Sequence, residues 1–265
     1  MAALMWRLWS KAVCLGFEFP RLGDGPAMLL PLLTSTKLTR FPASVLVLVV
    51  INSVVFIVTR DDIVGAADHW GFVSLAGSGS PEIGLPGWSA ASTAVTYAFL
   101  HGGWGHLIGN MWFLLVFGMA LESRMGHLVF VVTYLAFAIL AIGVHALMQT
   151  GPVRPAIGAS GAISGILGCY LASEPRGRVL SLFFLGIICF LTEIPALWYA
   201  AVWLIVQIDG IQTRLLTGPE CCNIAWWAHL GGFASGIALG ILVGIVRRAV
   251  SHRVGVPGAS KRGRS

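Results

Sequence analysis

Long apolar runs constrain this chain more than any other feature of its sequence. Six runs with few charged residues are separated by segments that are rich in charge, Gly or Pro. A helix needs about 20 apolar residues to cross the hydrocarbon core of a bilayer, and most of these runs approach that length. Hydrophobic residues make up 57% of the chain and charged residues 11%, with a mean hydropathy of +0.84. The sequence therefore predicts an all-α, polytopic membrane protein with a bundle of six transmembrane helices.

One of the six spans is ambiguous. The predicted spans cover residues 41–59, 104–121, 128–148, 160–173, 195–208 and 227–246. Glu193 and Pro195 divide the segment 179–208 into two apolar pieces, each shorter than a normal span. Either both pieces cross the membrane, which gives seven spans, or only the second crosses, which gives six. In the second case residues 179–190 are interfacial, partly re-entrant or an extension of the fifth helix.

The distribution of basic residues favours six spans. With six, 14 of the 17 Lys and Arg residues lie on the side that holds both termini. Basic loops stay in the cytoplasm, and seven spans would place the basic C-terminal tail outside. We therefore predict a multi-pass membrane protein whose two termini are cytoplasmic. The N-terminal residues lack the pattern of a cleavable signal or a transit peptide, which points to the bacterial cytoplasmic membrane.

Three regions follow from this topology. They are an N-terminal cytoplasmic or interfacial segment (1–40), the six-helix core (41–248) and a basic C-terminal tail (249–265). The net charge of +6 reflects the basic ends of a membrane protein, so no nucleic-acid partner is expected. The five cysteines show no metal-binding spacing, and the role of Cys221 and Cys222 stays open. No metal or cofactor is expected.

A serine stands in an unusual position at the start of the fourth predicted span. Residues 158–165 read Gly-Ala-Ser-Gly-Ala-Ile-Ser-Gly. The N-terminus of a helix presents free N–H groups and a partial positive charge, which suits a developing oxyanion. Ser160 is therefore a candidate nucleophile if other helices bring a base and oxyanion donors to the same depth.

Other polar residues are predicted to lie at the depth of Ser160. Spans two, four and six run in the same direction, so their N-terminal ends meet near the outer face. His229 begins span six, and His106 with Asn110 shares one face at the start of span two. Polar groups at membrane depth mark function by default. Small residues allow spans four and six to pack closely, and they include Gly161, Gly165, Gly232 and Gly236.

The chemistry that suits this set of residues is acyl transfer. Ser160 attacks, and His229 acts as general base and then as general acid. The backbone N–H of Ser160 and the side chains of His106 and Asn110 form the oxyanion hole. No Asp is placed to orient His229, so a dyad is expected rather than a triad.

The motifs around these residues resemble those of the rhomboid family of intramembrane serine proteases, over about residues 42–246. They are His106-x-x-x-Asn110, Leu-Glu-Ser-Arg-Met-Gly at 121–126, Gly-Ala-Ser-Gly at 158–161, and Ala-His-Leu-Gly-Gly at 228–232. The resemblance implies a rhomboid-like six-helix core and a Ser160–His229 dyad. It also implies cleavage of the transmembrane segments of protein substrates near the outer face of the bilayer. Residues 60–92 are then partly embedded beside the core, and residues 209–226 form a cap or gate.

One position departs from the family pattern. Some members carry an aromatic residue four positions after the nucleophile, where it stacks on the histidine, and here that position is Ser164. We expect Trp226 or Trp227 to support His229 instead. Ser164 is also a rival nucleophile, although its simpler role is a hydrogen bond to the carbonyl one turn earlier.

Other interpretations of the same residues are weaker. The nucleophile elbow of soluble hydrolases needs a strand before the serine, where two prolines interrupt this chain. A metal site built from His101, His106 and His229 would lack a Cys or carboxylate to complete it. A small transporter would show internal repeats or charged pairs at mid-membrane. The main alternative is a catalytically silent rhomboid-like protein that binds membrane clients, and the presence of both Ser160 and His229 argues against it.

Overall fold

The computed structural model describes residues 28–73, 90–148, 155–185, 188–217 and 225–253, and the structural statements below concern these residues. Four helices among them are long and apolar enough to cross a membrane: Ala43–Trp70, Trp104–Met125, His127–Met148 and Trp226–Ile245. Two shorter apolar helices, Ser160–Ser173 and Ala196–Gln212, lie at the predicted fourth and fifth spans. The predicted all-α, polytopic class is confirmed, and the count of six spans stays a prediction.

Nine helices lie within the described residues. In chain order they are α1 (Ala43–Thr59), α2 (Ile63–Trp70), α3 (Ala90–Thr96), α4 (Trp104–Phe113), α5 (Met119–Met125), α6 (His127–Met148), α7 (Ser160–Ser173), α8 (Ala196–Thr217) and α9 (Trp226–Arg253). A 3-10 turn, Arg60–Asp62, joins α1 to α2, where the Asp62 side chain accepts a hydrogen bond from the N–H of Gly65 at 3.0 Å. The sharp connection between α5 and α6 is made by Gly126, whose φ of 82° is unfavourable for other residues.

Helix α7 lies at the centre of the bundle. Its residues 161–171 are all buried, because α6 and α9 pack along it. Glycines bring the backbones of α7 and α9 into direct contact. A Cβ on Gly232 would collide with the carbonyl oxygen of Gly161, and a Cβ on Gly236 would collide with that of Gly165. Small residues thus allow the two helices to approach closely enough for their first turns to meet.

A three-stranded antiparallel sheet replaces the helical or re-entrant structure considered for residues 179–190. Strand β2 (Arg178–Leu185) pairs with β3 (Ile188–Pro195) on one side and with β1 (Met28–Thr34) on the other. Strand β2 therefore holds the end of the N-terminal region against the core. Its sequence, Arg-Val-Leu-Ser-Leu-Phe-Phe-Leu, is rich in branched and aromatic residues, which favour strands. Ser181 lies on the buried face of β2 and accepts a hydrogen bond from the hydroxyl of Tyr199 on α8 at 2.5 Å.

A buried carboxylate joins the end of α5 to the start of α1. Glu122 is fully buried, and its two oxygens accept hydrogen bonds from the backbone N–H groups of Ser44 at 2.7 Å and Val45 at 2.8 Å. These donors belong to the first turn of α1, where no residue of the helix itself pairs with them. Arg124, two residues after Glu122, forms an ion pair with Glu174 at the end of α7.

Several predictions concern residues outside the described ranges. They are the part of the interfacial segment up to residue 27, part of the embedded segment (74–89), part of the predicted cap (218–224 of 209–226, with Cys221 and Cys222) and the tail from residue 254. Residues 209–217 of the predicted cap belong to α8. Helix α9 continues to Arg253, so it extends into the predicted C-terminal tail.

Candidate active site

The loop before α7 determines the position of Ser160. Phe72 and Ala156 exchange two backbone hydrogen bonds of 3.0 and 2.7 Å, which fix the start of this loop. Gly158 then adopts a φ of 123°, which L residues rarely reach, and its N–H donates to the carbonyl of Tyr97 at 2.9 Å. The chain enters α7 directly after this turn. Ser160 is the first residue of the helix, where backbone N–H groups have no partner within the helix.

Ser160 and His229 form a hydrogen bond. The Oγ of Ser160 lies 2.7 Å from Nε2 of His229, which belongs to the first turn of α9. His229 is buried, with 8% of its surface exposed, so water competes little for this bond. A serine hydroxyl that donates to a neutral imidazole is the arrangement that activates the hydroxyl as a nucleophile. The geometry therefore suits proton transfer from Ser160 to His229.

The other ring nitrogen of His229 contacts a residue that the sequence analysis missed. Gln207, on α8, places its Oε1 2.6 Å from Nδ1 of His229, and the Gln207 side chain is fully buried. The Nε2 of Gln207 donates to the carbonyl of Trp203 at 3.0 Å, which fixes the orientation of the amide. The oxygen therefore faces His229 and accepts its Nδ1–H. A signal was present, because Gln207 is the only amide side chain in the predicted span 195–208.

Two indole rings flank the His229 imidazole. The ring of Trp226 lies edge-on at 6.0 Å between centroids, and that of Trp203 lies at 6.3 Å. Trp226 was expected at this place, whereas Trp203 was not. Ser164 takes no part in holding the ring, since its Oγ donates to the backbone carbonyl of Ser160 at 2.6 Å. That bond is the one-turn contact typical of a serine inside a helix.

His106 and Asn110 lie one turn apart on α4, and His106 projects towards the start of α7. A Cβ placed on Gly158 would lie 2.7 Å from Nε2 of His106 and 3.6 Å from Oγ of Ser160, so the imidazole and the hydroxyl flank this glycine. The N–H of Gly102 donates to Nδ1 of His106 across 3.4 Å, which favours the tautomer that carries its proton on Nε2. Asn110 is buried, and its Nδ2 has no hydrogen-bond partner among the described residues. The Nε2–H of His106 is thus a side-chain donor beside Ser160, and the Nδ2 of Asn110, one turn further along α4, is a second donor without a partner among the described residues.

His101 lies behind the site rather than in it. Its ring packs at 5.1 Å from that of His106, and no part of its surface is exposed. Burial lowers the pKa of His101 to about 3. His101 is therefore neutral at physiological pH. Its uncharged ring packs against the ring of His106.

Comparisons with known proteins agree with the resemblance seen in the motifs. The family model described as the Rhomboid domain matches residues 89–245. Rhomboid protein 1, mitochondrial, of Saccharomyces cerevisiae is 29% identical, over 54% of this chain and 39% of the yeast protein. Rhomboid-related protein 3 of Homo sapiens is 28% identical, over 56% of this chain and 35% of the human protein.

A relative from a third organism gives a similar match. The presenilin-associated rhomboid-like protein, mitochondrial, of Rattus norvegicus is 31% identical, over 52% of this chain and 34% of the rat protein. The aligned part of this chain thus corresponds to less than two fifths of the length of each of these three relatives.

Proposed function

This chain belongs to the rhomboid family, and on that basis we propose that it is an intramembrane serine endopeptidase. Its substrates are transmembrane segments of other membrane proteins, which it cleaves near the outer face of the bilayer. Ser160 is the nucleophile and His229 the general base and acid. The observation that carries the proposal is the hydrogen bond of 2.7 Å between Ser160 Oγ and His229 Nε2.

The reaction divides peptide hydrolysis into two acyl transfers. His229 Nε2 takes the hydroxyl proton as Ser160 Oγ attacks the scissile carbonyl carbon, and a tetrahedral intermediate forms. The intermediate collapses when His229 gives this proton to the leaving amine, so the C–N bond breaks and an acyl-enzyme remains. Water then adds to the ester with His229 again as base, and Ser160 regains its proton when the acid product leaves.

Three donors are assigned to the negative oxygen of the tetrahedral intermediate. They are the backbone N–H of Ser160, Nδ2 of Asn110 and Nε2–H of His106. Support comes from the position of Ser160 at the N-terminus of a helix and from the lack of another partner for Nδ2 of Asn110 among the described residues. Donors that are fixed before the reaction stabilise the transition state without further reorganisation.

The location of the site limits the kind of substrate. Ser160 and His229 both lie in the first turn of their helices, which suits a bond near one surface of the membrane, where water is available. A helix must unwind before its peptide bonds can be attacked, because its carbonyls are hydrogen-bonded. The expected substrate is therefore a single-span protein with Gly or other small residues near the outer end of its span.

The protein is a multi-pass membrane protein. The side on which its termini lie and the membrane that holds it belong to the proposal. The excess of basic residues on one side supports two cytoplasmic termini and the regions 1–40, 41–248 and 249–265. The bacterial cytoplasmic membrane gains no support from the comparisons, because two of the relatives named above are described as mitochondrial.

Labelling with a fluorophosphonate probe separates a protease from a rhomboid-like protein that only binds clients. The purified full-length chain in detergent is treated with the probe, and the modified residue is mapped by mass spectrometry. We expect modification at Ser160, lost in Ser160→Ala and His229→Ala and retained in Ser164→Ala. A folded wild type that the probe leaves unmodified would favour the client-binding function.

A further inference from the structure

The Ser160–His229 pair has a third, buried polar neighbour. Gln207 reaches the pair from α8, so the three side chains come from three helices, α7, α8 and α9. In peptide hydrolases that use histidine as base, the nitrogen remote from the nucleophile needs an acceptor, since that acceptor selects the tautomer. The sequence offers no carboxylate for this place. The amide oxygen of Gln207 occupies it at 2.6 Å from Nδ1.

The orientation of the amide is fixed by its second hydrogen bond. If the amide were rotated by 180°, its NH₂ would face His229 and its oxygen would face the carbonyl of Trp203. Two acceptors would then oppose each other in a fully buried environment, which is unfavourable. The Gln207 oxygen therefore stays towards Nδ1, and the ring of His229 keeps its proton there.

We propose that Gln207 is the positioning residue of the catalytic histidine, holding Nδ1–H so that Nε2 stays free to accept the proton of Ser160. This role rests on the proposed protease function and deepens it. Gln207 does not exchange protons, and its neutral amide accepts the same hydrogen bond before and after His229 is protonated. The site thus works as a serine–histidine–glutamine set in which the third member carries no charge.

Substitutions at Gln207 test the proposal through the rate of the chemical step. Gln207→Leu keeps the approximate size of the side chain and removes the acceptor. We expect kcat for a transmembrane substrate to fall by about 10- to 100-fold with an unchanged KM, as for other groups that fix a histidine tautomer. The control is Ile205→Leu, a conservative change at an exposed position of the same helix outside the predicted cap, which leaves kcat unchanged.

Gln207→Glu keeps an acceptor at the same place and separates positioning from packing. We expect the acidic limb of the rate profile of this variant to move to higher pH. The limb moves because a carboxylate stabilises the protonated ring of His229. A residue that only held α8 against α9 would leave the acidic limb at its wild-type pH.

A spectroscopic measurement tests the same inference without any cleavage. Protein labelled with ¹⁵N-histidine is studied by NMR in detergent, and the signals of His229 are identified by their absence in His229→Ala. In wild type the two ring nitrogens of His229 should report a single tautomer with the proton on Nδ1. In Gln207→Leu they should report a mixture of tautomers, and in Ile205→Leu the wild-type signals.

The two readouts keep the inference distinct from the proposed function. If wild type cleaves nothing and resists the probe, the protease function fails, and the NMR signals still decide the role of Gln207. A wild-type tautomer in folded Gln207→Leu, or wild-type kcat in that variant, would overturn the inference and leave the Ser160–His229 assignment intact.

Discussion

The hydroxyl of Ser160 lies 2.7 Å from Nε2 of His229, although 69 residues separate the two in the chain. Each stands in the first turn of its helix, and the two helices touch through glycines. The bond therefore depends on how closely α7 and α9 pack as well as on the two residues themselves. Substitutions at the site should change the rate of cleavage, and substitutions at the helix contact should change the stability of the fold.

Asn110→Leu should slow the chemical step without weakening substrate binding. The Nδ2 of Asn110 is buried without a partner among the described residues, and we assign it to the developing oxyanion. Leu has about the same volume and lacks the donor. Loss of one such donor lowers kcat by about 100-fold, and KM should stay within about twofold. Steady-state kinetics on a transmembrane substrate measures both, and a variant that raises KM alone would contradict the assignment.

Gly158→Ala should disturb the site locally. The φ of 123° at this residue is unfavourable for alanine, and the added Cβ would lie 2.7 Å from Nε2 of His106. We expect cleavage to fall by about tenfold or more, because the imidazole must move away from Ser160. Gly103→Ala is the control, since a Cβ there meets nothing within 4 Å and the backbone is extended. Equal activity of the two variants would argue against a role for His106 beside Ser160.

Gly236→Ala should destabilise the bundle. A Cβ at this position would collide with the carbonyl oxygen of Gly165, so α7 and α9 must separate. Such overpacking lowers the free energy of unfolding by about 1–3 kcal/mol. At Gly244, on the same helix, a Cβ meets nothing within 4 Å. Gly244→Ala should be neutral or stabilising by up to about 1 kcal/mol, the gain in helix propensity. Unfolding by SDS in mixed micelles measures the free energy of unfolding of both variants. Equal values for the two would contradict a close contact between α7 and α9 at Gly236.

Glu122→Ala should also destabilise the fold, for an electrostatic reason. It leaves the N–H groups of Ser44 and Val45 buried without their acceptor, which lowers the free energy of unfolding by about 2–5 kcal/mol. Asp61→Ala removes a carboxylate whose side chain is 89% exposed, and it should change stability by less than about 0.5 kcal/mol. The same SDS titration applies. A Glu122→Ala protein as stable as Asp61→Ala would show that Glu122 does not hold the two helices together.

The sequence predicts the membrane class and the site at Ser160 because both depend on local patterns. Apolar runs of membrane length indicate helices, and polar residues at the starts of spans two, four and six indicate where the chain concentrates its chemistry. Glycines at 161, 165, 232 and 236 indicate a close contact, and the structure has backbone atoms touching there.

The hairpin of β2 and β3 could not be predicted from the same patterns. Its strands are as apolar as a short transmembrane helix, and β1, which pairs with β2, comes from residues 28–34 far away in the chain. Length and hydropathy do not distinguish a buried strand from a helix segment. Only the pairing itself, a non-local interaction, decides in favour of the sheet.

The contact of Gln207 with His229 was missed for a related reason. A polar residue inside a span is a signal of function, but its partner depends on how α8 rotates and packs beside α9. Periodicity places a residue on a helix face and says nothing about which neighbouring helix that face meets. The acceptor is moreover an amide oxygen, whereas the acceptor beside a catalytic histidine is commonly a carboxylate.

The measurement that tests the central claim most directly is cleavage of a transmembrane substrate in proteoliposomes by wild type, Ser160→Ala and Ser164→Ala. The two serines lie one turn apart on α7, so each substitution serves as the control for the other. We predict wild-type cleavage in Ser164→Ala and a loss of about 10⁴-fold or more in Ser160→Ala. Cleavage by folded Ser160→Ala at the wild-type rate would contradict the assignment of Ser160 as the nucleophile.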